Sequence, residues 1–178
     1  MDIAKIRIGA DSQCVSYIID AIQGVLEPRG PLADEKKALF RIYLYLPGTI
    51  IVTPTVMTEC AEIRNSDLRT MHESYFAVFF DEVIIEEPTS LEPRIKELKK
   101  MHRGAKDCQI LAESEFGNID VLLTYDSTMI SHLRDASKTT KLAKPTEIWC
   151  NLAIPRGSRP DKIPHSTNPL SQQEWWKW

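Results

Sequence analysis

Four short apolar runs punctuate this chain, at residues 3–8, 49–52, 82–86 and 121–124. Between them lie stretches whose apolar residues recur at helical spacing. Thr49-Ile50-Ile51-Val52 and Val121-Leu122-Leu123-Thr124 show no polar alternation, which is the pattern of strands covered on both faces. Strands alternating with helices predict an α/β fold. Its core is a parallel central sheet of about five strands, with helices on both faces and right-handed crossovers, a three-layer α/β/α arrangement. The fifth strand is expected at the edge, over residues 144–149.

Local signals set the helix limits. Ser12 can cap a helix reaching residues 21–24, with Val15, Ile18, Ile19 and Ile22 on one face. A second helix over 34–46 stops at Pro47-Gly48. Thr53 caps a third, with Pro54 in its first turn. Further helices are expected over 68–79, 91–102, 106–116 and 128–133, and Gly117-Asn118 ends the one at 106–116. Residues 1–150 form one domain, and 151–178 read as an extended tail rich in Pro and Ser. The tail ends in Trp175-Trp176-Lys177-Trp178. Exposed indoles are costly in water, so this cluster is expected to pack on a protein partner or on the chain's own core, with single-stranded RNA as the lesser alternative.

At 178 residues, with 43% apolar and 26% charged content, the chain suits one soluble domain with a substantial core. A net charge of −3 excludes a global basic field, so any nucleic-acid contact needs a local patch. The first residues carry no basic segment before an apolar one, and no apolar run approaches the roughly 20 residues of a membrane span. A cytoplasmic protein without membrane attachment is expected. Cys14, Cys60, Cys108 and Cys150 form no CxxC pair and suit free thiols in a reducing compartment. His72, His102, His132 and His165 do not fall at zinc-ligand spacing with them.

The informative polar residues are four acids. Asp11 follows the first strand, and Glu59 lies one turn into the helix after the second. Asp107 opens the helix leading to the fourth strand, and Asp126 follows that strand. A parallel sheet brings all four to the rim beyond its carboxyl ends, where such folds bind ligands. Crowded carboxylates repel and resist ionisation, and a hard divalent cation relieves the repulsion. Metal-dependent phosphodiester chemistry with Mg²⁺ or Mn²⁺ follows as the expectation. Each acid also has a plain alternative: a turn residue at Asp11, a favourable helix dipole at Glu59 and Asp107, a cap at Asp126. Glu62 is the nearest substitute for Glu59. Asp120 is expected at the opposite rim and Asp20 far along its helix, both solvated. Lys106 is the first candidate for a substrate phosphate, with Arg103, Lys138, Lys141 and Lys144 flanking the rim in sequence. Cys14, Cys60 and Cys108 beside the acids read as packing rather than redox control.

The segments Ile8-Gly9-Ala10-Asp11-Ser12, Val52-Thr53-Pro54-Thr55-Val56-Met57-Thr58-Glu59, Ala105-Lys106-Asp107-Cys108-Gln109-Ile110-Leu111-Ala112 and Val121-Leu122-Leu123-Thr124-Tyr125-Asp126 resemble, in order and spacing, the four acidic motifs of PIN-domain nucleases. The resemblance covers residues 3–149 and implies a PIN-like fold. It departs from the family pattern in a long, helix-rich connection between Glu59 and Asp107, and in the tail. It implies that Asp11, Asp107 and Asp126 hold one Mg²⁺ or Mn²⁺, with Glu59 completing the cluster. Ser12, Thr124 and Ser127 would orient carboxylates or waters behind them. The implied activity is an endoribonuclease leaving a 5′-phosphate and a 3′-hydroxyl. Stand-alone members of that family are often the toxin of a toxin–antitoxin pair, so RNA, an antitoxin or other protein partner, and a second copy of the chain in a homodimer are the implied partners. The alternative is a non-catalytic PIN-like scaffold for RNA or protein. A phosphoacceptor receiver domain would need paired acids after the first strand, which this chain lacks.

Overall fold

The computed structural model describes residues 6–24 and 26–178. Five strands of three residues each form an all-parallel sheet in the order β3-β2-β1-β4-β5. They are β1 (Ile8–Ala10), β2 (Ile50–Val52), β3 (Phe80–Glu82), β4 (Val121–Leu123) and β5 (Lys141–Ala143). The connections are helical: α1 (Ser12–Ile22) and α2 (Ala33–Tyr45), then α3 (Pro54–Ala61) and α4 (Ser66–Phe79), then α5 (Glu92–Leu98) and α6 (Ala105–Phe116), and finally α7 (Ser127–Leu133). α8 (Pro145–Leu152) follows β5. The result is a three-layer α/β/α fold, as the alternating pattern predicts. The chain runs outward from β1 through β2 to β3, then returns to β1's other side with β4 and β5. The order therefore reverses between β1 and β4, which puts the crevice beyond their carboxyl ends.

The three inner strands are wholly buried, which is why their sequences carry no alternation. Gly9 has no side chain because Ile119 occupies that space. A Cβ there would sit 3.0 Å from the Ile119 Cδ1. Helix starts follow the capping chemistry: Thr53 accepts from the Val56 N–H, Asn65 from Leu68 and Asp126 from Thr128 and Met129. At α1 the cap is Asp11 rather than the expected Ser12. The Asp11 carboxylate accepts from the Cys14 N–H, and Ser12 becomes the first helical residue.

Three strands lie elsewhere than expected. The first, expected over residues 3–8, occupies 8–10, and only Ile8 is shared. The third occupies residues 80–82, and only Glu82 is shared with the expected 82–86. Phe80 pairs with Ile50 and is buried, whereas Ile84 is 79% exposed. The fifth strand is Lys141–Ala143, upstream of the expected 144–149. That expected segment is α8, because Pro145 fits a first helical turn and Ile148, Trp149 and Leu152 form one buried helical face. The expected helix at 91–102 is shorter: a 3₁₀ turn over Pro88–Leu91 precedes α5. Residues 3–5 of the expected first strand lie outside the described residues.

The segment after α8 folds back over α2. Leu170, Trp175 and Trp176 join the main core. Trp175 packs on Phe40 at 5.5 Å, and the Trp176 indole N–H donates to Leu170. Arg41 donates to the carbonyls of Trp175, Trp176 and Lys177. Trp178 stands edge-on to Trp149 and lies between the guanidinium groups of Arg41 and Arg156, 4.9 and 4.7 Å from its ring centre. The indoles thus pack on the chain itself.

Candidate functional site

The register decides which acids meet. Ala10 pairs with Leu123, so Asp11 and Asp126 emerge from the same end of adjacent strands. Asp11 is 7% exposed, and its backbone N–H donates to the Leu123 carbonyl. Burial raises its pKa, and the neighbouring Glu59 charge adds to the rise; bonds from Thr124 and Cys14 oppose it. Thr124 is fully buried and links the two acids. Its hydroxyl lies within hydrogen-bonding reach of Asp11 and accepts the Asp126 N–H at 3.0 Å. The Asp126 Oδ1 is occupied by two helix amides, at 2.7 and 3.0 Å.

Glu59 joins through Ser12, whose hydroxyl donates to its Oε2 at 2.7 Å. Lys106 lies 3.6 Å from the Oε1 of Glu59 and 2.6 Å from the Oε2 of Glu62. Asp107, the next residue, turns its Oδ2 to the His102 Nε2 at 2.6 Å, and the other ring nitrogen of His102 faces the Nδ1 of His132 at 3.2 Å. Gly104 makes room for this pair: a Cβ there would collide with the Asp107 carboxylate and the His102 ring. Ser127 is exposed at the first position of α7.

Asp11, Glu59 and Asp126 are thus linked through Ser12 and Thr124, while Asp107 is held by His102. The donors are oxygens, which suits Mg²⁺ or Mn²⁺ rather than zinc. Among the described residues, no three His, Cys, Asp or Glu side chains are gathered closely enough to hold an ion as they stand. To serve together, Asp107 would exchange His102 for the ion, and Glu59 would exchange Lys106.

The basic candidates separate. Lys138 and Lys141 precede or open β5 and so lie at the opposite rim, paired with Glu97 and Glu147. Lys106 pairs with acids of the site itself. Lys144 caps α8, and Arg103 is exposed beside His102; both are on the acidic rim or its approach. Asp120 is at the opposite rim, as its position before β4 predicts, and accepts the Arg7 N–H at 2.8 Å.

Sequence reasoning missed Glu113. It is 2% exposed and accepts both the N–H and the hydroxyl of Thr55, at 3.0 and 2.7 Å. It closes the amino end of α3 from α6, and α3 carries Glu59. Its signal was an acid in a run of buried positions, Ile110, Leu111, Ala112 and Ser114. The His102–His132 contact had no sequence signal. Cys14, Cys60 and Cys108 are buried. Burial pushes the Cys60 thiol up to about 12, and burial likewise raises Cys14 and Cys108, which makes them poor nucleophiles.

No protein-family model matches the chain, and no curated protein matches it.

Proposed function

We propose that this protein is a metal-dependent endoribonuclease whose rim acids Asp11, Glu59, Asp107 and Asp126 hold Mg²⁺ or Mn²⁺. The observation that carries this reading is the pairing of Ala10 with Leu123. It brings the segments that carry Asp11 and Asp126 out of the same end of adjacent strands at the sheet's switch point, where the buried Thr124 hydroxyl accepts the Asp126 N–H. Burying a carboxylate next to a second acid is unfavourable unless a cation is to be bound there.

The chain's own residues would divide the work. Asp11 is fixed by its helix-capping bond, so its outer oxygen has a defined position. Thr124 holds Asp11 and Asp126 in register. Ser12 orients Glu59 across the cleft. Lys106 pairs with Glu59 and, more closely, with Glu62, and would meet an RNA phosphate by exchanging both. A bound ion would supply a more acidic water and offset charge on the phosphate. A toxin role with an antitoxin partner remains an analogy to the PIN family.

The second reading is a non-catalytic scaffold of the same fold. The pairing of Asp107 with His102 and of Glu59 with Lys106 favours it, because internal partners already engage two of the acids.

Cleavage of end-labelled RNA distinguishes the two. The wild type should cut with Mn²⁺ or Mg²⁺ and stop with EDTA, and Asp126→Asn should lose cleavage while melting normally. A preparation that is inactive with either ion, or an Asp126→Asn protein as active as wild type, would overturn the nuclease reading.

A further inference from the structure

A second cavity lies on the other side of the sheet from the acids, independent of them. It opens beyond the amino ends of β2 and β3, next to Thr49 and Phe79, the residues just before those strands. Its volume is about 420 Å³, within the range of small-molecule sites. Ile22, Phe40, Leu44 and Phe79 give it an apolar wall. The chain from Lys162 to Leu170 forms the remaining side.

Lys162, His165 and Asn168 interrupt the apolar lining on that side, and the Asn168 amide is taken up by the Ile22 carbonyl and the Leu170 N–H. The Lys162 ammonium is half-buried and donates to the Leu46 carbonyl at 2.7 Å. Burial holds its pKa below the ordinary lysine value even though Asp161 is 3.8 Å away, so its charge is under-compensated. Asp161 does not line the cavity. The exposed His165 lies on the same side, its Nδ1 against the Thr167 hydroxyl at 2.8 Å and the Thr167 N–H at 3.3 Å. An apolar chamber with an ammonium group on one side and no lining carboxylate matches an apolar molecule with one anionic end.

We propose that this cavity binds an amphipathic monocarboxylate, with the carbon skeleton against Phe40, Leu44 and Phe79 and the carboxylate on Lys162. The hydrocarbon supplies affinity by leaving water, and the charge-assisted bonds select the head group.

Calorimetric titration of the full chain with decanoate, decanol and decylammonium tests this. Decanoate should bind saturably and about tenfold more tightly than decanol, the worth of one charge-assisted bond, with decylammonium weakest. Lys162→Met keeps the aliphatic stem and should bring decanoate down to the decanol level while decanol is unaffected. Val78→Trp, at an exposed position on the cavity wall, should weaken both. Absence of saturable decanoate binding, or wild-type affinities that do not rank decanoate first, would overturn the proposal whatever the variants do. An unchanged decanoate affinity in Lys162→Met would overturn the head-group assignment.

Discussion

Replacing Asp11 by Asn and, separately, by Ala divides its structural work from its charge. Asn keeps an oxygen that can accept the Cys14 N–H, now made at 2.7 Å, and Asn caps helices as well as Asp. Ala removes the cap, at a cost of about 1 kcal/mol. For a domain of this size that lowers Tm by about 2–4 °C. The Asn variant also removes a buried charge that faces Glu59. The folded-state pKa of Asp11 is raised above its ordinary 3.8, so the wild type binds this proton more tightly when folded. The favourable contribution is complete below the ordinary value and disappears as pH rises through the raised one. Asp11→Asn should therefore equal wild type in acid and be at least as stable at neutral pH. Mn²⁺ should reverse the order. At a hundred times its Kd, the ion adds about 2.7 kcal/mol to the wild type, or roughly 5–11 °C in Tm, and adds nothing comparable to the Asn variant. Differential scanning calorimetry at acid and neutral pH, with and without Mn²⁺, reads every term. A neutral-pH Asp11→Asn protein that melts well below wild type without the ion would refute the account of a strained carboxylate. Equal Mn²⁺ shifts in both proteins would refute Asp11 as a ligand.

Two further outcomes follow from the packing. Arg94 ties three elements together: it binds both oxygens of Glu115 at 2.7 and 2.8 Å, reaches Glu97 at 2.8 Å and donates to the Ala136 carbonyl. Arg94→Ala should cost about 1.5–3 kcal/mol by chemical denaturation, since it removes the charge-assisted bonds to Glu115 and leaves it the Lys138 N–H and the Ser137 hydroxyl. Burial alone would raise Glu115, but Arg94, the Lys138 N–H and Ser137 outweigh it and lower its pKa, so this stabilisation is present above the ordinary value of 4.5 and disappears as pH falls through the lowered one. An Arg94→Ala penalty that does not shrink in acid would contradict that assignment. Iodoacetamide at neutral pH should label only Cys150 in the native protein and all four cysteines after denaturation, read by intact mass. Native labelling of Cys14 or Cys108 would mean that the floor of the acidic rim is open to solvent.

β1, Ile8-Gly9-Ala10, carries little strand signal of its own and was expected upstream, whereas β2 and β4, buried on both faces, carry continuous apolar runs and were legible. The edges were not. β3 is an edge strand of Phe80, Asp81 and Glu82, with two exposed acids, and the stronger β-formers just after it, including the exposed Ile84, drew the expectation downstream. β5 is only Lys141, Leu142 and Ala143, too short and mixed to register as a strand. The neighbouring Pro145-Thr146-Glu147 carried a helix-start signal, Pro in the first turn and an acid after it, that outweighs the β preference of Ile148 and Trp149. At the site, the positions of Asp11 and Asp126 followed from strand order and register. The partners of Asp107 and Glu59 did not, because His102, His132 and Lys106 meet them through tertiary packing that leaves no periodic trace.

The Glu113–Thr55 clasp has a counterpart in Glu35, which accepts the N–H and hydroxyl of Thr146 at 2.9 Å each. In both places a Pro-Thr pair opens a helix, α3 or α8, and a glutamate from a distant helix completes its first turn. The partners are 58 and 111 residues apart along the chain. Neither helix start can form properly in a nascent fragment, so local helix formation is subordinated to long-range assembly. The buried Thr55 amide reaches solvent through openings that part α3 from α6, which ties the start of α3 and the rim above it to the packing of α6.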